Sequence, residues 1–159
     1  MITLDERLKA CAEYVSGKGT VCDVGTDHAY LPAYLILSEK CRNAVASDIN
    51  DGPLEFAEQT LNKYKLSDKI KLVKSDGLKN ISPENVSDVI IAGMGGETIS
   101  DILAEAEWLR NGVNLILQPM TRAQGLRKWL YKNGYEIISE RAVSHDTVSY
   151  THLTLPTIA

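Results

Sequence analysis

From residue 20 onward, short β-branched and apolar runs alternate with stretches whose apolar positions recur every three or four residues. The first pattern is that of buried strands and the second that of helices packed on one face, so the chain predicts stacked βα units and a mainly parallel sheet. Strands are expected at Thr20–Asp23, Asn43–Ser47, Ile70–Lys74, Val86–Ala92, Asn114–Gln118 and Tyr135–Ala142. Helices are expected near Leu4–Ser16, Leu31–Ser38, Gly52–Tyr64, Glu97–Trp108 and Ala123–Asn133. Leu4, Leu8, Cys11 and Val15 share one helical face, which predicts an amphipathic helix laid on the sheet ahead of the first strand. The fold class is α/β, doubly wound, with helices on both faces.

Length and composition narrow this little further. At 159 residues and 44% hydrophobic content the chain suits one domain with a buried core. No apolar run approaches the roughly 18 to 20 residues of a bilayer-spanning helix, and the N-terminus lacks the order of a signal peptide, so a cytoplasmic protein without a membrane partner is expected. The three cysteines, Cys11, Cys22 and Cys41, are odd in number and form no Cys-x-x-Cys pair; reduced thiols and no metal site are expected. A net charge of −4 gives no global attraction to nucleic acid. Local basic groups remain, at Lys63, Lys65, Lys69, Lys71 and Lys74 and at Arg122, Arg127, Lys128 and Lys132, and each also reads as a solvated helix or strand edge.

The candidate chemistry sits where strands end. Val21-Cys22-Asp23-Val24-Gly25-Thr26-Asp27-His28 is an apolar strand, an acid and a glycine turn, the place where open α/β sheets bind nucleotide-like ligands. It lacks the three-glycine dinucleotide fingerprint, and acids at Asp23 and Asp27 would repel a pyrophosphate while tolerating a sulfonium-bearing amino acid. Asp48 ends the second strand 25 residues after Asp23, where a carboxylate can hold a ribose diol; its other reading is a helix cap, a role open also to Asn50 or Asp51. Asp76 and Gly77 follow the third strand, as an adenine contact or as an ordinary Asp-Gly turn. Gly93, Met94, Gly95 and Gly96 follow the fourth, opening space for a flat base or merely turning the chain. Gln118 ends the fifth, either reading a base edge or bracing the loop.

Together, Asp-x-Gly-Thr-Asp-His-Ala-Tyr-Leu-Pro, Ser-Asp-Ile-Asn-Asp-Gly-Pro-Leu, Asp-Gly-Leu, Ile-Ala-Gly-Met-Gly-Gly-Glu and Leu-Ile-Leu-Gln-Pro-Met resemble the bacterial tRNA (adenine-22 N1)-methyltransferases over roughly residues 4 to 143. The resemblance implies a Rossmann-like class I methyltransferase that moves a methyl from S-adenosyl-L-methionine to N1 of an adenine in the D-arm of tRNA. It places Asp23, Gly25, Asp27 and His28 beside the methionine part, Asp48 and Ile49 at the ribose, Asp76 and Gly77 at the adenine, and Gly93 to Gly96 at the reacting centre. Tyr30 is then a stacking platform for an extruded base, Gln118 and Arg122 are substrate contacts, and Asp27 with His28 would accept or relay a proton from the product. The Asn-Pro-Pro-aromatic block with which many amino methyltransferases hold an exocyclic amine is absent, as suits attack by a ring nitrogen. Members of the family also carry a C-terminal helical domain, which is not expected here.

The last segment stands apart. Val148-Ser149-Tyr150-Thr151-His152-Leu153-Thr154-Leu155-Pro156-Thr157 matches one reading frame of a widely used transposase library adaptor. The methyltransferase domain is therefore expected over residues 1–147, incomplete at its C-terminus, with 148–159 a non-native tail whose alternation would still let it run as a strand.

Overall fold

The computed structural model describes residues 2–145 and 148–155. Helix α1 (Glu6–Glu13) is followed by β1 (Thr20–Val24), α2 (Tyr30–Leu37), β2 (Ala44–Asp48), α3 (Asp51–Tyr64), β3 (Ile70–Lys74) and β4 (Val86–Gly95). Then come α4 (Gly96–Ala104), a 3-10 turn (Glu107–Arg110), β5 (Asn114–Thr121), α5 (Ala123–Lys132), β6 (Ser139–His145) and β7 (Val148–Leu155). The strands form one sheet in the order β3-β2-β1-β4-β5-β7-β6, parallel from β3 through β5, with β7 antiparallel to both neighbours. This is the expected doubly wound α/β fold. β7 is the segment read above as a tail; the expected boundary at Thr147 and residues 156–159 lie outside the described residues.

Alternate residues of the central strands feed two apolar layers, as the period of two in a strand requires. Val21, Ala46, Ile90 and Ile116 face α1, α2 and α3. Cys22, Val89, Ile91, Leu115 and Leu117 face α4 and α5. Asp5 caps α1 by accepting from Leu8 N–H at 2.8 Å, which starts the helix at Glu6 rather than Leu4. At the sheet's opposite end the fully buried Asp88 carboxylate gathers Ser16, Gly17, Ser87 and Asn114, tying the loop after α1 to β4 and β5.

β4 and β5 run three residues past their expected ends, and two further elements depart from the pattern. The helix expected through Trp108 ends at Ala104, because the chain turns at Ala106 (φ −121°, ψ 79°) to seat Ala106 and Leu109 in the core. The sixth strand begins at Ser139 rather than Tyr135. Tyr135 is buried against Trp129, its ring 6.0 Å away, with the Arg110 guanidinium over it at 4.8 Å, so its apolar character serves the helical layer and not the sheet.

Candidate functional site

The carboxyl ends of β1, β2, β3 and β4 meet along one edge, and the loops after them line two cavities that share Gly25. One, about 370 Å³, is bounded by Asp48, Ile49, Asp76, Gly77, Met94 and Ile102. The other, about 290 Å³, is bounded by Arg7, Asp23, Asp27, His28, Tyr30 and Gly93. Of the predicted cofactor residues, Asp23 and Asp27 thus face the second cavity, Asp48, Ile49, Asp76 and Gly77 the first, and Gly25 both.

The turn after β1 is built by residues in the left-handed region: Gly25 (φ 72°), Asp27 (φ 58°) and Ala29 (φ 60°). Such a conformation is nearly free for glycine and tolerable for Asp, and it costs more for Ala29, which is held in the core with 0% exposure. Asp48 locks the turn from β2. Its carboxylate accepts from Asp27 N–H and from Asn50 N–H, both at 3.2 Å, so it braces two loops rather than capping α3. Asn50 occupies the cap position of α3 without a side-chain bond.

Asp23 is buried beneath this turn and accepts from the Thr26 hydroxyl at 2.8 Å. Burial pushes its carboxyl up to about 7; the Thr26 bond and Arg7 pull it down, and Asp48 adds to the rise. His28 Nδ1 lies 3.2 Å from Asp27 Oδ2 at the rim, and its ring stacks between Tyr30 (5.1 Å) and Phe56 (4.8 Å). Asp76 is exposed and pairs with Lys79 at 3.1 Å. The three thiols are buried, and burial raises all of them, Cys11 to about 12 and Cys41 to about 11, so none is poised as a nucleophile.

Two sequence-based expectations need correction. Gln118 does not present its amide to a base: it is fully buried, and its Oε1 accepts from Gly93 N–H at 3.0 Å and from Arg7 at 3.2 Å. The cause is the bulge at Gly93 (φ 79°), where the β4–β5 register slips and the Gln118 side chain supplies an acceptor to the bulged N–H. The glycine block also divides. Gly93 and Met94 line the cavities, whereas a Cβ on Gly96 would stand 2.5 Å from the Arg122 carbonyl oxygen and 3.0 Å from that of Thr121. Gly96 therefore lets α4 start against the β5–α5 turn, so its lack of a side chain answers to backbone packing and not to the entry of a base. Gly95 faces Thr121, with 3.1 Å from its would-be Cβ to the hydroxyl. Arg122 is exposed at the same edge, 3.9 Å from Glu97.

Three further residues enter from helices. Arg7 on α1 reaches over the sheet edge, Ile102 on α4 walls the first cavity, and Phe56 on α3 completes the aromatic column. Ile102 was foreshadowed by the apolar period of α4; Arg7 and Phe56 stand in no motif.

A family model described as a methyltransferase domain matches residues 4–153. The chain belongs to that family. It is 39% identical over 150 residues to the tRNA (adenine(22)-N(1))-methyltransferase of Bacillus subtilis strain 168, covering 94% of this chain and 63% of that protein. The chain thus spans less than two thirds of that relative's length. A crystal structure of a B. subtilis tRNA methyltransferase superposes with a TM-score of 0.94 at 37% identity, covering 99% of this chain and 68% of the other. A Streptococcus pneumoniae protein crystallised with S-adenosyl-L-methionine gives 0.93 at 34% identity, over 98% and 73%.

Proposed function

We propose that this methyltransferase domain uses S-adenosyl-L-methionine to methylate N1 of an adenine in tRNA, at position 22 of the D-arm, and that it works in the cytoplasm. The observation that carries the reading is the pair of cavities joined at Gly25, one rimmed by acids suited to an adenosine and the other by groups suited to an amino acid. The residues present fit the cofactor. A Cβ at Gly25 would meet the Met94 methyl at 2.6 Å and one at Gly77 would meet Ile102 at 3.1 Å, so a side chain at either position would press Met94 or Ile102 into the larger cavity that both of them line. Acids at Asp48, Asp76, Asp101 and Glu105 around the larger cavity disfavour a pyrophosphate and accept hydroxyl and amino donors. The substrate assignment draws on the B. subtilis relative, whose name gives that reaction.

When bound, the cofactor supplies a methyl group on a sulfonium sulfur. Asp48 would take the ribose hydroxyls, Asp76 and Gly77 the adenine, and Asp23 with Arg7 the two charged ends of the amino acid. Adenine N1 has its lone pair in the ring plane and needs no base to become a nucleophile, so the protein's task is alignment. Gly93, on its bulge, adds no side chain of its own to the second cavity and so leaves room for the Arg7 guanidinium, 3.1 Å from where its Cβ would stand, and Tyr30, half exposed at the rim, offers a ring face to the base. Asp27, 3.2 Å from His28, would balance the cationic product or take a proton from its amino group. Incubating the chain with tRNA and S-adenosyl-L-methionine and then analysing the nucleosides by mass spectrometry tests the proposal. 1-Methyladenosine is the expected product; cofactor binding with no methylated nucleoside would overturn it.

A further inference from the structure

Beyond the two cofactor cavities, a cleft of about 460 Å³ opens between the start of α2 and the outer face of α3. Phe56, Gln59 and Lys63 come from one face of α3, at i, i+3 and i+7, while His28 comes from the turn after β1 and Tyr30 from the start of α2. Phe56 is the chain's single phenylalanine, yet it is 49% exposed. A phenylalanine normally lies in the core; here it is held outside, stacked on His28, which is stacked on Tyr30, with ring planes within 18° and 22° of parallel. The column ends in two half-exposed rings. No carboxylate is among the described residues lining the cleft, in a chain of net charge −4, and Lys63 stands there over the Tyr64 ring at 5.3 Å. The adjoining cofactor cavity carries the acids Asp23 and Asp27, and the other cofactor cavity carries four.

We propose that this cleft is a second nucleotide subsite, which stacks an unpaired base neighbouring the methylated adenine on the Phe56–His28–Tyr30 column and sets Lys63 against its phosphate. The inference rests on the tRNA reading above. Two arguments carry it. His28 and Tyr30 line both this cleft and the smaller cofactor cavity, whose mouth the reacting base would approach, so the cleft adjoins that mouth and neighbouring nucleotides of one strand can reach both. An adenine whose N1 must be reached has to leave its stack, which strips its neighbour of a stacking partner; aromatic rings with a cation at hand replace that partner irrespective of base identity.

The test measures binding of transcribed tRNA in the presence of S-adenosylhomocysteine, for the unaltered chain and for Phe56→Leu, Phe56→Trp and Lys63→Gln. Phe56→Leu should weaken tRNA binding about tenfold, within the range for losing one base–aromatic stack, and Phe56→Trp should restore it. Lys63→Gln should lower the slope of log affinity against log salt by about 1. All three should keep the affinity for S-adenosylhomocysteine, which reports an intact fold; if Phe56→Leu loses it, the solvent-exposed Lys63→Gln decides. With 2-aminopurine placed beside the target adenine, fluorescence should fall on binding, and fall less with Phe56→Leu. Unchanged tRNA affinity in Phe56→Leu and an unchanged salt slope in Lys63→Gln, while the unaltered chain methylates tRNA, overturn the subsite alone. An unaltered chain that neither binds nor methylates tRNA overturns both the subsite and the function.

Discussion

The terminal methyl of Met94 lies 2.6 Å from the point that a Cβ on Gly25 would occupy. The residue after β1 and the residue in the β4 loop thus share one volume, at the junction of the two cofactor cavities. Gly25→Ala should therefore act twice. Its φ of 72° strains any L side chain, at a stability cost of about 1–2 kcal/mol, and the flexible Met94 side chain must swing into the ligand's space. Calorimetry should show cofactor affinity falling by about 1–3 kcal/mol, the range for overpacking a filled site. The double variant Gly25→Ala/Met94→Ala should recover part of it, and a strictly additive double variant would dissociate the two residues.

Asp48 should matter to the cofactor more than to the fold. Asp48→Ala removes a charged acceptor and should weaken S-adenosyl-L-methionine by about 1–3 kcal/mol in a titration. Asp48→Asn, which keeps one acceptor for the Asp27 or Asn50 amide, should lose less. Unaltered affinity in Asp48→Ala would remove the residue from the ribose.

Asp23 makes stability depend on pH. Folded, its carboxyl holds a proton up to about 7; unfolded, it releases that proton near the ordinary 3.8. Between those values the folded chain binds more protons than the unfolded one, so stability falls as pH rises from about 4 to about 7 and then levels. Asp23→Asn should flatten this slope and melt higher than the parent at pH 8. Cofactor affinity should move the other way, improving as pH rises through 7, because the ionised carboxylate is the better partner for an ammonium. Thermal melts across pH 5 to 8 check the first statement, and a parallel slope in Asp23→Asn would refute it.

Gly96→Ala should damage the fold before the chemistry. Both atoms nearest its would-be Cβ are backbone oxygens, which cannot swing aside as Met94 can. A loss of about 1–3 kcal/mol is expected in denaturant unfolding. A variant as stable as the parent but unable to transfer a methyl would return Gly96 to the reacting centre.

What could be read in advance follows from how local each signal is. β3 is bounded to the residue and β1 and β2 to within one, because an apolar run that ends near an acid and a glycine carries its own stop, whereas β4 and β5, without that signal, run three residues past their expected ends. Asp23, Asp48 and Asp76 were legible as candidates for the same reason: each lies within two residues of a strand's carboxyl end, and parallel winding brings those ends to one edge. Gln118 was ambiguous, since nothing local to β5 announces a bulge in β4 that needs an acceptor. Tyr135 looked like the start of a strand because Tyr135 and Ile137 alternate, and only the placement of Trp129 and Arg110 shows that the ring is bound elsewhere. Arg7 and Phe56 escaped altogether. Each is one residue on an amphipathic helix, and its role arises from a partner 111 residues away for Arg7 with Gln118, or from a ring column closed across two helices for Phe56.

The adaptor reading of residues 148–157 is open to a direct check. Resequencing the source locus across this region should show the codons after about position 147 replaced by others. Genomic DNA that encodes Val148 through Ala159 followed by a stop would reject it.

β7 enters the sheet between β5 and β6, and β6 reaches the sheet through β7. A ribosome therefore delivers β6 before the strand on which it must hang, and the nascent sheet waits with a socket at the free side of β5. Main-chain hydrogen bonds fill such a socket, and nearly any stretch without proline can offer them. The position is consequently forgiving of sequence and strict about length: a segment that can turn back after β6 and run antiparallel will seat, whatever its origin. That makes it a natural point for grafting a foreign strand, and equally the point at which a shortened chain would recruit one from a neighbour.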